Sequence, residues 1–132
     1  MEQKVLEVVL RDGSIESVTI EISGTADAIR VNGKVYHESD LFRSLLAYRR
    51  DLEARGSTLC CQGARVNVWP SGMAVSMGGG RKAYVLVSGA KVTTDDLVDI
   101  FDPAPLDMVT SVAAQTAHHE QFCRQMRSNA QS

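Results

Sequence analysis

Two dipeptides, Asp12-Gly13 and Asn32-Gly33, constrain this chain more than any other feature. Each lies between short apolar runs, and each supplies residues that tolerate the positive φ of a tight hairpin turn. Residues 5–10 and 15–22 flank the first. The second of these runs alternates, with Val18, Ile20 and Ile22 on one face and Ser17, Thr19 and Glu21 on the other. Residues 28–31 and 34–37 flank Asn32-Gly33. The chain therefore opens as an antiparallel meander of four short strands.

A helix is expected next, over 39–55. Ser39 is suited to its N-cap and Asp40 to its first turn. Leu41, Leu45, Tyr48 and Leu52 recur at helical spacing, widened by Phe42 and Leu46, while Arg43, Arg49, Arg50 and Glu53 fall mostly outside the stripe. Gly56 supplies the stop. Strands are expected at 57–61, 65–69 and 82–88, with a type I turn at 69–72. A short helix is expected from Thr93 or Thr94 to about Phe101. Pro103 and Pro105 break it, and a C-terminal helix follows over 106–127. Strands, helix, strands, then helices, without regular βαβ alternation, define an α+β fold: a mainly antiparallel sheet with one principal helix on one face and a helical C-terminus. No linker divides the chain, so residues 1–105 and the helical tail 106–132 read as one domain.

The 132 residues suffice for one core without staples. A formal net charge of −2 gives no general attraction to nucleic acid or to an anionic membrane. The N-terminal apolar run is short and broken by Glu7, unlike a secretory signal, and no apolar stretch is long enough to span a bilayer. Three cysteines, two of them adjacent, are no disulfide framework; Cys60 and Cys61 read as packing thiols on opposite faces of a strand. The cytosol is the compartment these features point to.

Gly78-Gly79-Gly80-Arg81-Lys82 has the composition of a phosphate loop but not its order. Lys82 follows Arg81 rather than glycine, Ala83 replaces the hydroxyl residue, and a strand follows where a helix is needed. His119 and Cys123 share a helical face, but two ligands are too few for zinc, so these residues and His118 read as a solvated polar face. No nucleophile elbow or perturbed carboxylate pair is evident. Neither a catalytic residue, a metal nor a cofactor is expected. In the helix ending at Phe101, Asp95, Asp99 and Asp102 align on one face with Asp96 beside them. Such a stripe is either solvated surface or a face that meets a basic partner.

The segment LCCQGARVNVWPSGMAVSMGGGRKAYVLVSG, followed by DLVDIFD, resembles small bacterial immunity proteins of polymorphic or type VI secretion toxin systems. The likeness rests on the helix ending in Gly56, Cys61-Gln62-Gly63, Pro70-Ser71-Gly72-Met73, Met77 to Gly80, and Lys82-Ala83-Tyr84. It implies a non-enzymatic protein that binds a cognate toxin and occludes its active site or substrate channel. The contacts it suggests are the stripe of Asp95, Asp96, Asp99 and Asp102, together with an adaptable loop containing Gly79, Arg81 and Lys82 between Met73, Met77 and the next strand. Two alternatives stand beside it. One is a small enzyme or ligand-binding domain that uses the Gly78–Lys82 loop, with Lys82, for an anionic metabolite. The other is a homo-oligomeric accessory module, such as a homodimer, docked through the C-terminal helix.

Overall fold

A computed structural model describes residues 2–25, 27–86 and 97–131 of the chain. The meander forms as expected: β1 (Glu2–Val9), β2 (Ile15–Ile22), β3 (Ala28–Val31) and β4 (Lys34–His37). At the second turn Asn32 has φ 52° and Gly33 φ 82°, the two positive values this hairpin type needs. At the first, Gly13 has φ 87° and the Asp12 carboxylate accepts from Ser14 N at 2.9 Å. β5 (Thr58–Cys60) joins the free edge of β1, giving a curled antiparallel sheet in the order β4-β3-β2-β1-β5. The period-two pattern sends Leu6, Val8, Val18, Ile20, Ile22, Ile29 and Val31 to one face, all of them buried.

Helix α1 (Leu41–Ala54) covers that face with Leu41, Phe42, Leu45, Leu46, Tyr48 and Leu52. Its N-cap is Asp40, one residue after the expected Ser39, and the Asp40 carboxylate accepts from Arg43 N at 2.9 Å. Gly56, at φ 78°, lets the chain leave the helix. Arg49 departs from expectation: instead of lying outside the apolar stripe it is 2% exposed.

The second half builds a separate three-stranded antiparallel sheet, β6 (Val68–Trp69), β7 (Lys82–Val85) and β8 (Leu97–Asp99), in that order. The expected strand over 65–69 is confined to its last two residues, because Gln62–Ala64 wind into a 3-10 turn. Gly63 in that turn leaves no room for a side chain. A Cβ would come within 2.8 Å of Leu45 Cδ2 and 2.9 Å of Ile100 Cβ. The turn at 69–72 is instead the entry to a helix, α2 (Gly72–Gly78), capped by Ser71 Oγ on Ala74 N at 3.1 Å. The expected helix over 93–101 is also corrected. Residues 97–99 are strand β8, held by pairing Lys82 with Asp99 and Tyr84 with Leu97, and the earlier part lies outside the described residues. The C-terminal helix begins later than expected, after a 3-10 turn at Leu106–Met108, as α3 (Val112–Gln131).

Arg49 joins these parts. Its guanidinium donates to Gly63 O, to Gln115 Oε1 and, at 2.7 Å, to Thr110 O. Gln115, fully buried, donates to Gly63 O and Val68 O, both at 2.8 Å. One turn along α1, the Glu53 carboxylate accepts from Val112 N at 3.1 Å, at the start of α3. Desolvation lowers the Arg49 pKa, yet a guanidinium keeps its charge, so those acceptors must stay in place. Arg49→Met is expected to cost about 2–4 kcal/mol in urea unfolding, because Gln115 Oε1 and Thr110 O lose this donor while Gly63 O keeps the one from Gln115. Gln115→Ala should cost about 1–3 kcal/mol, and the double variant less than the sum, because the two share partners.

Candidate functional site

The triple glycine is the end of α2 and its seat on α1. Gly79 adopts the left-handed conformation, φ 68°, and its N–H reaches back to carbonyls of α2. Its carbonyl accepts from Leu41 N at 2.7 Å, at the first residue of α1. Gly80, φ 76°, lies against Asp40 and Phe42. With Leu41 N and Arg43 N both engaged, the start of α1 presents a filled cap rather than an anion cradle.

The basic pair divides. Arg81 donates to both carboxylate oxygens of Glu2, bonds Asp99 at 3.1 Å and lies 5.7 Å from the Phe101 ring centre. The Glu2 hydrogen bonds raise its pKa further, so Arg81 pins β1 to the second sheet. Lys82 remains 62% exposed, with Nζ 3.9 Å from Asp99.

The acidic stripe does not form among the described residues. Asp95 and Asp96 lie outside them. Asp99 is 9% exposed and accepts from Phe101 N and Arg81. Asp102 is half-exposed and pairs with Lys4 at 3.3 Å. Helical spacing would have aligned Asp99 and Asp102, but strand pairing turns Asp99 inward to balance Arg81.

The remaining expected contacts do come together. Met73 and Met77, one helical turn apart on α2, are 72% and 83% exposed. With Ala74 and Gly78 they wall an open groove of about 230 Å³ floored by Tyr84, Leu97 and Lys82. Tyr84 and Lys82 share one face of β7 because they are two residues apart. A side chain as large as methionine normally gains about 1.5–3 kcal/mol from full burial, and here two forgo most of it. The α2 helix was missed in the sequence, although Ser71 before GMAVSM and Gly79 after it are a legible N-cap and C-terminal stop.

The C-terminal histidines are not a solvated face. His119 stacks on Trp69, centroids 4.2 Å apart and 7° from parallel, and Trp69 packs edge-on against Phe42. His119 Nε2 lies 3.5 Å from Cys123 Sγ. Burial first, then the Arg43 charge, lowers the His119 pKa. Val112 and Gln115 bury the first turns of α3 on the body, whereas Met126 in its distal half is exposed. Cys60 and Cys61 are buried, and burial pushes the Cys61 thiol up to about 11. Among the described residues no three His, Cys, Asp or Glu side chains gather as a metal site, and no helix is long and apolar enough to cross a membrane.

Compared with known proteins, the chain matches no protein-family model and no curated sequence.

Two measurements test this geometry. Gly80→Ala should destabilise by about 1–3 kcal/mol, since its φ is positive and a Cβ would meet Phe42 Cβ at 3.2 Å. Gly78→Ala, helical and facing open space, should be neutral or stabilise by about 0.5–1 kcal/mol. The lowered His119 pKa means the unfolded chain binds this proton more readily than the folded one. Its contribution to stability is therefore full above the ordinary histidine range, near ~6.5, and falls as pH drops through it. His119→Phe, which preserves a ring against Trp69, should flatten that part of the stability–pH curve.

Proposed function

We propose that this chain is a non-enzymatic, toxin-neutralising immunity protein that acts in the cytosol and meets its cognate toxin through α2 and the outer face of β7. The observation that carries the reading is the pair of exposed methionines, Met73 and Met77, over the Tyr84–Leu97 groove. Contiguous exposed apolar surface with a polar rim is characteristic of protein-binding faces, and methionine conforms to irregular partners.

The residues on which the resemblance to immunity proteins rests support it too. Pro70-Ser71-Gly72-Met73, Met77 to Gly80 and Lys82-Ala83-Tyr84 fall within the one stretch 70–84, and Ser71, Met73, Met77, Gly78, Lys82 and Tyr84 of them line this groove. Gly79 and Gly80 tie the C-terminal end of α2 to the start of α1, so the methionines are presented from an anchored helix. Preorganisation of this kind lowers the entropic cost of binding. Arg81, committed to Glu2 and Asp99, serves the scaffold rather than the contact.

Co-expression with the toxin encoded by the neighbouring gene tests the proposal. Wild type should restore growth, and Met73→Asp/Met77→Asp should abolish protection while leaving the circular dichroism spectrum and melting temperature unchanged. Full protection by the folded double variant, or none by wild type, overturns it.

A further inference from the structure

The groove carries information about what it binds. Among the described residues that line it, Lys82 is the single charged side chain, and the others are apolar, small or hydroxyl-bearing. Asp99, the carboxylate that reaches Lys82 among the described residues, already accepts from Arg81 at 3.1 Å and from Phe101 N at 2.9 Å. At 3.9 Å it holds Lys82 only loosely, and the ammonium stays 62% exposed. A partially exposed cation that is weakly paired among the described residues, beside an apolar trough, suits a partner that brings a carboxylate.

Geometry sets the spacing. Lys82 and Tyr84 are two strand residues apart, so their Cα atoms lie roughly 6.6 Å from one another. A group bound over Tyr84, between Met73 and Met77, is thus about one helical turn, or two strand residues, from a group that meets Lys82 Nζ.

We propose that this face recognises a protein segment that pairs a large apolar side chain with a carboxylate three or four helix positions, or two strand positions, away. The apolar group seats between Met73 and Met77, and the carboxylate meets Lys82. The inference rests on the reading of this face as a protein-binding surface, and it reverses the polarity drawn from the aspartates. The contacting side presents a cation, and its partner presents the acid.

Selection of a displayed random-peptide library on the immobilised full chain tests this. Enriched peptides should place Glu or Asp at one of those spacings from Leu, Ile, Met or Phe. In fluorescence anisotropy, Met73→Asp/Met77→Asp should weaken an enriched peptide at least tenfold. Lys82→Gln should weaken it three- to tenfold, Lys82→Arg should retain binding, and Lys82→Glu should favour the peptide with its acid changed to lysine. Peptides that need the methionines but lack an acid, or that ignore Lys82→Gln, overturn the inference and leave the protein-binding face standing. Absence of enrichment, or binding unaffected by the methionine changes, overturns both. Concentration-dependent dimerisation lost in the methionine variant identifies a second copy as the occupant and also overturns the inference.

Discussion

The Gln62–Ala64 turn, the second sheet's first strand and the C-terminal helix are joined to α1 through one buried cation. Arg49 projects from the middle of α1 into the junction of the Gln62–Ala64 turn, strand β6 and the start of α3, and it leaves water entirely for backbone and amide oxygens. A buried guanidinium is tolerable only when its donors are matched, because desolvation otherwise costs several kcal/mol. That condition fixes geometry. Gly63, Thr110 and Gln115, distant in sequence, must converge on the face of α1 that Arg49 occupies. Gln115 in turn holds Val68, the first residue of the second sheet. Glu53 repeats the clamp one turn later by capping α3.

A second ionic junction works differently. Arg81 ties β7 to Glu2 at the start of β1 and to Asp99 on β8, nearer the surface and with carboxylates rather than carbonyls as partners. With the glycine seat on α1, it fixes the position of α2. The site therefore stands on a frame with named anchors: Ser71 caps α2, Gly79 ends it, Gly80 packs against Phe42, and Phe42 supports Trp69. The outer row of α2, where Met73 and Met77 sit, is the exposed part of this frame.

The meander and α1 were legible in the sequence for a local reason. Hairpin turns, period-two alternation, an N-terminal cap and a glycine stop all act within a few residues, and the inward side chains needed only some apolar surface to meet. The methionines, glycines and basic pair were likewise visible as unusual residues. Their roles were not. Nothing local distinguishes Arg81, folded into two carboxylates, from Lys82 beside it in the open. Arg49 likewise sits among other arginines of α1, and only the arrival of Gly63 and Gln115 makes its burial affordable. DLVDIFD carries helical spacing, but an exposed edge on β7 drew residues 97–99 into strand pairing, which satisfies backbone groups that a short helix leaves partly unpaired.

The sequence by itself determined that this is an α+β chain with an antiparallel opening and a helix laid across it, because patterning and turn chemistry are short-range properties. The tertiary structure alone decided which charges are structural and which face outward. It seated the triple glycine on a helix cap and drew Asp99 and Asp102, the described half of an expected acidic stripe, into separate ion pairs. It also left a methionine-walled groove with one lysine at its edge. The reason is physical: a charge is assigned its role by the partners that reach it, and here those partners come from elements tens of residues away.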